Sequence, residues 1–360
     1  MNRIFNFSAG PCTLPLPALQ SAADEFLEYR GKGMSLIEMS HRSKEYEAVH
    51  REAADLVRRL YDLPDNYKVL FLGGGASLQF SMVPMNLMQP GGRCDLALTG
   101  AWSKKALSDA RKIGTVNLAY DGTDENFMDL PNPATLVAGA DSAYFHLTSN
   151  ETIGGVQWQR FPDTGPVPLV CDMSSDFVSR RIDLSQFGLV YAGAQKNAGP
   201  AGASIVIIRE DLLERSADHL TAYLSYATHA AKDSMYNTPP VFAVYMIMKT
   251  LQWLEGQGGL EAAERMAMER SELLYGAIAK SSGYYRCPVK EHCRSVMNVV
   301  FRLPDEELEK KFVAEALENG MSGLKGHRSV GGCRASIYNA MPVEGARALA
   351  GFMDEFASRN

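Results

Sequence analysis

Short apolar runs alternate with helical patterns through the first two thirds of the chain. The runs at residues 68–72 and 203–208 have the length of buried strands, and residues 46–60 repeat their apolar positions every three to four residues, as one face of a helix does. Strands that alternate with helices over residues 68–208 predict a mainly parallel sheet that is covered on both faces. The pattern therefore indicates an α/β fold.

The alternation ends in the last third of the chain, where strands and helices follow in an order typical of a smaller α+β unit. At 360 residues the chain is long enough for two domains with a substantial core. We predict a large domain over residues 16–257 and a small C-terminal domain over residues 258–360. An extended, turn-rich segment at residues 1–15 is predicted to join them.

Local signals predict where two of the helices begin and end. The first helix should begin at Leu16 and continue to Tyr29, just before Gly31. Ser43 should cap the next helix, because a serine hydroxyl can accept a hydrogen bond from a free N–H of the first turn. That helix should stop before Pro64.

Composition and charge argue against several classes of protein. A net charge of −6 gives no electrostatic case for nucleic-acid binding. No apolar run approaches the length needed to cross a membrane, and the N-terminal residues lack the apolar stretch of a secretory signal. The six cysteines show no C-x-x-C pairing and no metal-ligand spacing, so no metal is predicted. We expect a cytoplasmic protein.

Lys196 lies between two apolar stretches, residues 187–194 and 203–208. An ammonium group is almost never fully buried without a partner, and burial lowers its pKa. A neutral amine can condense with a carbonyl to form a Schiff base. The alternative is a lysine at the end of a strand that points into solvent, and the spacing alone supports both interpretations equally.

Asp172 ends a short apolar strand that lies upstream of Lys196. Open α/β sheets bind ligands at the carboxyl ends of their strands, where this carboxylate would lie. Pyridoxal phosphate needs a lysine for its aldehyde and a carboxylate that keeps its pyridine nitrogen protonated. Asp172 could instead cap a turn. The pair of Asp172 and Lys196 favours the cofactor.

Three glycines at residues 73–75 follow the strand at residues 68–72 and precede a helix. This arrangement can present backbone N–H groups to a phosphate, or it can simply let the helix pack on the strand. The spacing is neither G-x-G-x-x-G nor a Walker loop, so nucleotide binding is not favoured. Trp102 lies at the next strand-to-helix turn, where it could stack on a planar ring or belong to the core.

Basic residues recur in loops as the pairs His41-Arg42 and His327-Arg328, with Arg334 close to the second pair. Loop cations are usually solvated surface residues. Three such sites together suggest an anionic substrate, because the guanidinium fork matches carboxylate and phosphate.

These motifs together resemble the phosphoserine aminotransferase family, which is class-V and of fold type I. The resemblance covers essentially the whole chain. It comprises Asn6-Phe-Ser-Ala-Gly-Pro, His41-Arg42-Ser, Gly73-Gly-Gly-Ala-Ser-Leu-Gln-Phe, Gly-Ala-Trp102, Asn150-Glu-Thr152-Ile, Asp172-Met-Ser-Ser, Ala-Gln195-Lys196-Asn, Tyr-Asn237-Thr238-Pro-Pro and Lys-Gly-His327-Arg328-Ser-Val-Gly-Gly-Cys-Arg334-Ala-Ser.

The resemblance implies a fold-type-I transferase with a seven-stranded sheet in the large domain, and pyridoxal 5′-phosphate as the cofactor. The implied reaction is a reversible transamination in which glutamate and 3-phosphohydroxypyruvate give 2-oxoglutarate and phosphoserine, a step of serine biosynthesis. A related step of pyridoxine biosynthesis, which yields 4-phosphohydroxythreonine, is implied as well. The implied partners are these small molecules and a second copy of the chain, in a homodimer with shared active sites.

The resemblance also implies a role for individual residues. The implied catalytic residues are Lys196 and Asp172. The implied cofactor-binding residues are Lys196, Asp172, Trp102, Thr152, Gln195, the backbone at Ala76 and Ser77, and Asn237 and Thr238 of the second subunit. The implied substrate-binding residues are Arg334 for the α-carboxylate, and His41, Arg42, His327 and Arg328 for the phosphate or the distal carboxylate. Some members of the family carry Arg-Gly where this chain has Ala76-Ser77, which leaves the ligation of the substrate phosphate open.

Two other classes of protein would use some of the same candidate site residues. A desulfurase or lyase of the same fold type would share Lys196 and Asp172, but a desulfurase needs a catalytic cysteine in a flexible loop, and no cysteine has an obvious setting of that kind. A non-catalytic protein that binds phosphorylated metabolites could use the glycine turn and the basic loops, but it would have no use for Lys196.

Overall fold

The computed structural model describes residues 3–216 and 220–360. Residues 1–2 of the predicted N-terminal segment, and residues 217–219 inside the predicted large domain, lie outside the described residues.

The described residues form thirteen strands and ten α-helices. The strands are β1 (Phe5–Asn6), β2 (Tyr67–Leu72), β3 (Arg93–Leu98), β4 (Thr115–Asp121), β5 (Phe145–Thr148), β6 (Asn150–Glu151), β7 (Val156–Gln157), β8 (Leu169–Asp172), β9 (Leu189–Gly193), β10 (Ser204–Arg209), β11 (Asn298–Phe301), β12 (Met321–Ser322) and β13 (Cys333–Ser336). The helices are α1 (Leu16–Asp24), α2 (Lys44–Tyr61), α3 (Gly75–Leu87), α4 (Ala101–Ile113), α5 (Glu210–Leu213), α6 (Tyr226–Ala230), α7 (Val241–Gly256), α8 (Gly259–Lys280), α9 (Glu306–Glu318) and α10 (Val343–Arg359).

Three of the four predicted helix boundaries are confirmed, since α1 begins at Leu16 and α2 is capped by Ser43 and ends at Tyr61, before Pro64. The Ser43 hydroxyl accepts a hydrogen bond from the N–H of Tyr46 and caps α2, as predicted. Helix α1 ends at Asp24 and does not reach Tyr29. Beyond it, the Glu25 carboxylate accepts a hydrogen bond from the Tyr245 hydroxyl of α7, so a tertiary contact replaces the further helical turn that the local pattern predicts.

Seven strands form one sheet in the order β2-β10-β9-β8-β5-β3-β4. Only β10 among them runs antiparallel to its neighbours, so the predicted mainly parallel sheet is confirmed. The carboxyl ends of the other six strands therefore meet at one edge of the sheet. In α/β folds this is the edge that binds ligands.

Apart from the edge strand β4, both faces of the sheet are buried, each in its own hydrophobic cluster. Val69 and Phe71 of β2 belong to the cluster that also contains the apolar faces of α2 and α7. Leu70 and Leu72, which point the other way, belong to the cluster that contains α3 and α4. The runs without polar alternation in the sequence follow from this burial on both sides.

A third hydrophobic cluster lies in the C-terminal part of the chain, around β11, β13, α9 and α10. Strand β1 of the N-terminal segment pairs in parallel with β12 and so joins this part. Helix α8 contributes Leu260 to the cluster of the large sheet and Leu274 to the C-terminal cluster. The domain division at residue 258 stays a prediction.

None of the helices that the structure describes is both long enough and apolar enough to cross a lipid bilayer.

Phe312 is the centre of the C-terminal cluster, and we predict that its loss destabilises this part strongly. Its fully buried ring lies 5.1 Å from the ring of Phe352 and 5.2 Å from that of Phe356. Phe312→Ala should lower the free energy of unfolding by about 3–5 kcal/mol, measured by urea denaturation, because it removes buried surface and leaves a cavity. Leu317→Ala, on the exposed side of the same helix, is the control and should change it by less than about 1 kcal/mol. Equal effects of the two substitutions would contradict the packing described here.

Candidate active site

The residues around Lys196 come from the ends of neighbouring strands at the ligand-binding edge of the sheet. Thr148 and Asp172 end β5 and β8 side by side in register. Lys196 lies in the turn between β9 and β10, and Thr152 follows β6. Residues far apart in the sequence therefore meet because parallel strands end together.

Lys196 is buried, with 8% of its surface exposed, so the interpretation of a solvent-pointing lysine is wrong. Its Nζ donates a hydrogen bond of 2.7 Å to the Thr152 hydroxyl and lies 5.3 Å from the centre of the Trp102 ring. Burial lowers the pKa of Lys196 to about 8, although the carboxylates of Asp172 and Glu151 oppose that shift. At pH 7 about a tenth of the lysine is the neutral amine, which is a nucleophile.

The Asp172 carboxylate is also buried and accepts a hydrogen bond of 2.8 Å from the N–H of Ser174. Burial raises the pKa of Asp172, and the Lys196 ammonium opposes that rise. A second buried carboxylate, Asp176, accepts hydrogen bonds from Ser149 and Gln157 and pairs with Arg180. Both carboxylates favour the charged form of the Lys196 amine, and with Lys196 they form the buried floor of the site.

Glu151 is a buried residue whose role the sequence analysis did not identify. Its carboxylate accepts hydrogen bonds from the backbone N–H groups of Trp102, at 3.0 Å, and Ser103, at 2.9 Å. Glu151 therefore caps the N-terminus of α4 and fixes the turn that carries Trp102. Trp102 is half-buried, and its Nε1 is buried without a hydrogen-bond partner among the described residues.

Arg334 of β13 brings a cation from the C-terminal part of the chain to the same site. One of its guanidinium nitrogens, Nη1, donates a 3.4 Å hydrogen bond to the carbonyl oxygen of Thr152. Its Nε is buried without a partner within the described part of the chain. Burial lowers the pKa of Arg334. Its remaining donors are available to a bound anion.

Three nearby cations act electrostatically on His327. Burial and the charges of Arg334, Arg328 and Lys105 all lower the pKa of His327. Lys105 is exposed on α4, and its Nζ lies 4.4 Å from the centre of the Trp102 ring. Lys105, His327, Arg328 and Arg334 form the rim of the site. The rim is therefore basic, whereas the buried floor carries carboxylates.

The glycine turn after β2 leads into α3 as the sequence predicted. Gly74 adopts a left-handed conformation with φ of 83° and has no side chain that could cap the helix. Ala76 and Ser77 lie in the first turn, where the backbone N–H groups have no partner inside the helix. Gln195 packs against Gly193, where a Cβ atom would come within 2.7 Å of the glutamine side chain. This turn and Gln195 could hold an anionic group.

Comparison with known proteins identifies the family. The sequence profile described as aminotransferase class-V matches residues 4–349. Phosphoserine aminotransferase from Geobacillus kaustophilus is 54% identical over 359 residues, which are 100% of this chain and 99% of that protein. This chain belongs to the class-V aminotransferases. Its motifs resemble those of the phosphoserine aminotransferases, and the Bacillus subtilis enzyme of that name is 48% identical with 100% of both chains covered.

Solved structures agree with this class-V aminotransferase over its whole length. Phosphoserine aminotransferase from Bacillus circulans subsp. alkalophilus superimposes with a TM-score of 0.98 at 51% identity and covers 99% of each chain. Pyridoxal-phosphate-bound phosphoserine aminotransferase from Trichomonas vaginalis has a TM-score of 0.92 at 40% identity, over 98% of this chain and 100% of that one. The predicted fold-type-I architecture is confirmed.

Five of the predicted site residues make no contact with Lys196, Asp172 or Thr152 that the described structure records within one chain. Asn237, Thr238, Arg42 and Arg328 are exposed. His41 is half-buried, and its Nε2 has no hydrogen-bond partner among the described residues. The roles of these residues stay predictions.

One cluster of possible metal ligands is explained by contacts within the protein. One ligand atom each from Asp129, His292 and Cys293 lie within 4.8 Å of one another. The Cys293 thiol donates to the carbonyl oxygen of Lys290, and burial raises its pKa to about 11, which disfavours the thiolate that binds metals. His292 is paired with Asp129 at 3.1 Å.

We predict that the Lys196 amine titrates near pH 8 in the folded, cofactor-free protein. The rate of acetylation of Lys196, followed by mass spectrometry against pH, should have its midpoint near that value. In the same protein unfolded in urea the midpoint should return to about 10.4. Asp172→Asn should lower the folded midpoint further, because the carboxylate stabilises the ammonium form. A midpoint that is the same in both states would contradict the burial argument.

Proposed function

We propose that this protein is a pyridoxal-phosphate-dependent phosphoserine aminotransferase. It exchanges the amino group of glutamate with 3-phosphohydroxypyruvate reversibly, which gives 2-oxoglutarate and the phosphoserine of serine biosynthesis. The observation that carries this proposal is the buried Lys196 amine, held by Thr152 at the edge of the sheet between Asp172 and Trp102. The phosphoserine aminotransferases, at about half identity over the whole chain, support the choice of reaction.

The residues around Lys196 fit pyridoxal 5′-phosphate. The ring of Trp102 has an apolar face for stacking on a planar ring. The Asp172 carboxylate, which has one hydrogen bond from Ser174, would pair with the ring nitrogen. Thr152 would bind near the phenolic oxygen. The uncapped first turn of α3, at Ala76 and Ser77, and the side chain of Gln195 would hold the phosphate.

When bound, the cofactor supplies an aldehyde for an amine and a ring that accepts the electron pair released at the substrate's α-carbon. Lys196 serves this chemistry because burial keeps part of it neutral at physiological pH. With a substrate in the site, the same amine would act as the base that takes the proton from the substrate's α-carbon and as the acid that gives it back. The negative charge of Asp172 would keep a proton on the ring nitrogen.

The basic rim of the site fits a substrate that carries a phosphate and a carboxylate. Arg334 would take the α-carboxylate, because its guanidinium has free donors beside Thr152. His41, Arg42, His327 and Arg328 would surround the phosphate, or the distal carboxylate of glutamate. Burial and the charges of the neighbouring cations lower the pKa of His327.

The proposal includes a homodimer with shared active sites. Asn237 and Thr238 are exposed in a single chain, and they would reach the cofactor phosphate of the second subunit. An exposed apolar patch supports such a contact, because one of its residues, Phe242, follows Thr238 by four positions. Phe26 and Phe242 are each about two fifths exposed with their rings 5.9 Å apart, and Leu27 is 85% exposed.

The proposal also includes a second substrate and a location in the cell. The related phosphorylated ketoacid of pyridoxine biosynthesis, which gives 4-phosphohydroxythreonine, carries the same anionic groups and would use the same residues. A cytoplasmic location is supported by the six cysteines, all of which are free.

A desulfurase of the same fold is the weaker alternative, because none of the cysteines is activated. Burial raises the pKa of all six thiols, whereas a nucleophilic cysteine needs a lowered pKa. The six are Cys12, Cys94, Cys171, Cys287, Cys293 and Cys333.

We predict that Lys196→Ala abolishes transamination. Glutamate-dependent formation of phosphoserine from 3-phosphohydroxypyruvate should fall at least about a hundredfold, because the proton-transfer group is lost. Cofactor should also no longer become fixed to the protein by borohydride, as judged by mass spectrometry. Lys280→Ala, which removes an exposed lysine at the end of α8, is the control and should keep turnover. Near-normal turnover in Lys196→Ala would overturn the proposed function.

We also predict that dimer formation and retention of the cofactor are linked. Leu27→Asp combined with Phe242→Asp places charges in the exposed apolar patch, so the protein should become monomeric by sedimentation and lose cofactor faster on dialysis. Val137→Asp, at an apolar residue that is 76% exposed elsewhere on the surface, is the control and should change neither property. A monomer that holds the cofactor as tightly as the wild type would contradict the proposal that the two subunits share their active sites.

A further inference from the structure

Lys105 is a cation of the active-site rim to which neither the motifs nor the family resemblance assigns a role. It lies one turn into α4, three residues after Trp102, and its Nζ is 4.4 Å from the centre of the Trp102 ring. The Nζ of Lys196 lies 5.3 Å from the same ring centre. Lys105 is thus close to the reacting residues, although its own side chain is exposed to solvent.

The charges around Lys105 are predominantly positive. Lys105 makes no ion pair with a carboxylate in the part of the chain that the structure describes. Its charge acts on His327 together with those of Arg328 and Arg334. The nearby Glu151 carboxylate is buried and already accepts hydrogen bonds from the N-terminus of α4. Gathering cations in a protein with a net charge of −6 costs free energy unless an anion binds between them.

Trp102 restrains where the Lys105 ammonium can go. A lysine ammonium over an indole ring is attracted by the negative face of the ring, and its aliphatic stem covers apolar surface. This contact limits the rotamers of a side chain that would otherwise be mobile. The ammonium is therefore held at the mouth of the site before a ligand arrives.

Lys105 lies where it could replace the cation that is missing at Ala76-Ser77. The sequence lacks a cation at Ala76-Ser77, and Ser77 lies exposed in the first turn of α3. Helices α3 and α4 pack side by side, with the Ser81 hydroxyl donating a 2.7 Å hydrogen bond to Asp109, and both begin at the same edge of the sheet. A cation in the first turns of α4 can therefore serve the same space as one at the start of α3.

We propose that Lys105 is a specificity-determining residue that binds the phosphate of the phosphorylated substrate and supplies the positive charge that Ala76-Ser77 lacks. This inference rests on the proposed function for the identity of the substrate. The contact needs only electrostatic attraction and a hydrogen bond from the ammonium to a phosphate oxygen, so no covalent step is involved.

Steady-state kinetics of Lys105→Ala test the inference. The KM for 3-phosphohydroxypyruvate should rise about fivefold, with most of the effect in KM and little in kcat, because one exposed cation of several around a dianion is lost. The KM for glutamate should rise several times less. Lys105→Arg keeps the charge and should recover most of the affinity. Lys104→Ala, which removes the exposed lysine next to it, is the matched control and should behave as the wild type.

Two further measurements make the test independent of a structural effect. Adding Ser77→Arg to the Lys105→Ala protein should lower the KM for 3-phosphohydroxypyruvate again, because a cation returns from the neighbouring helix. Binding of inorganic phosphate to the cofactor-loaded enzyme, measured by calorimetry, should weaken in Lys105→Ala and not in Lys104→Ala. This second measurement does not depend on turnover.

The outcomes separate this inference from the proposed function. A wild-type protein that does not transaminate 3-phosphohydroxypyruvate would overturn the proposed function, and the phosphate-binding comparison would still decide the role of Lys105. An active wild type with equal kinetics and equal phosphate affinity in Lys105→Ala would overturn the inference alone. A loss of the same size for glutamate as for the phosphorylated ketoacid would also overturn it, since the residue would then not select phosphate.

Discussion

The structure depends on keeping a lysine buried among buried carboxylates at the edge of one sheet. The Lys196 ammonium would be too costly to bury alone, and Asp172 and Glu151 offset part of that cost. The carboxylates in turn are tolerable because backbone N–H groups donate to both, from Ser174 to Asp172 and from Trp102 to Glu151. These opposed demands leave the lysine with a pKa of about 8, partly neutral and therefore reactive.

Distant parts of the chain are needed to hold this arrangement. The thiol of Cys12, in the N-terminal segment, donates a hydrogen bond of 2.6 Å to the backbone oxygen of Lys196. From the C-terminal part, Asn298 of β11 accepts a hydrogen bond from Asn150, two residues before Thr152. Arg334 donates to the Thr152 carbonyl as well. The segment around Thr152, which fixes the lysine amine, is thus held from both sides of the fold.

The sequence predicted the floor of the site better than its rim. Lys196 and Asp172 end or follow apolar runs, and such runs mark buried strands, so their position at one edge followed from the parallel sheet. Glu151 could not be found in this way, because its role depends on N–H groups 48 and 49 residues away at the start of α4. Helix α1 was predicted too long, since the contact of Glu25 with Tyr245 of α7 has no local signal. Lys105 reads as an ordinary surface lysine until its distance to Trp102 is known.

The difference between floor and rim has an energetic basis that also bears on specificity. Removing one partner of a buried charge pair leaves the other uncompensated, at a cost of about 3–5 kcal/mol, so the residues that perform the chemistry are tightly constrained. An exposed lysine such as Lys105 contributes little to folding, on the order of 1 kcal/mol or less. A cation at the rim can therefore be replaced without disturbing the buried lysine. On the proposal that Lys105 binds the substrate's phosphate, recognition of the substrate can vary while the proton-transfer residues stay fixed.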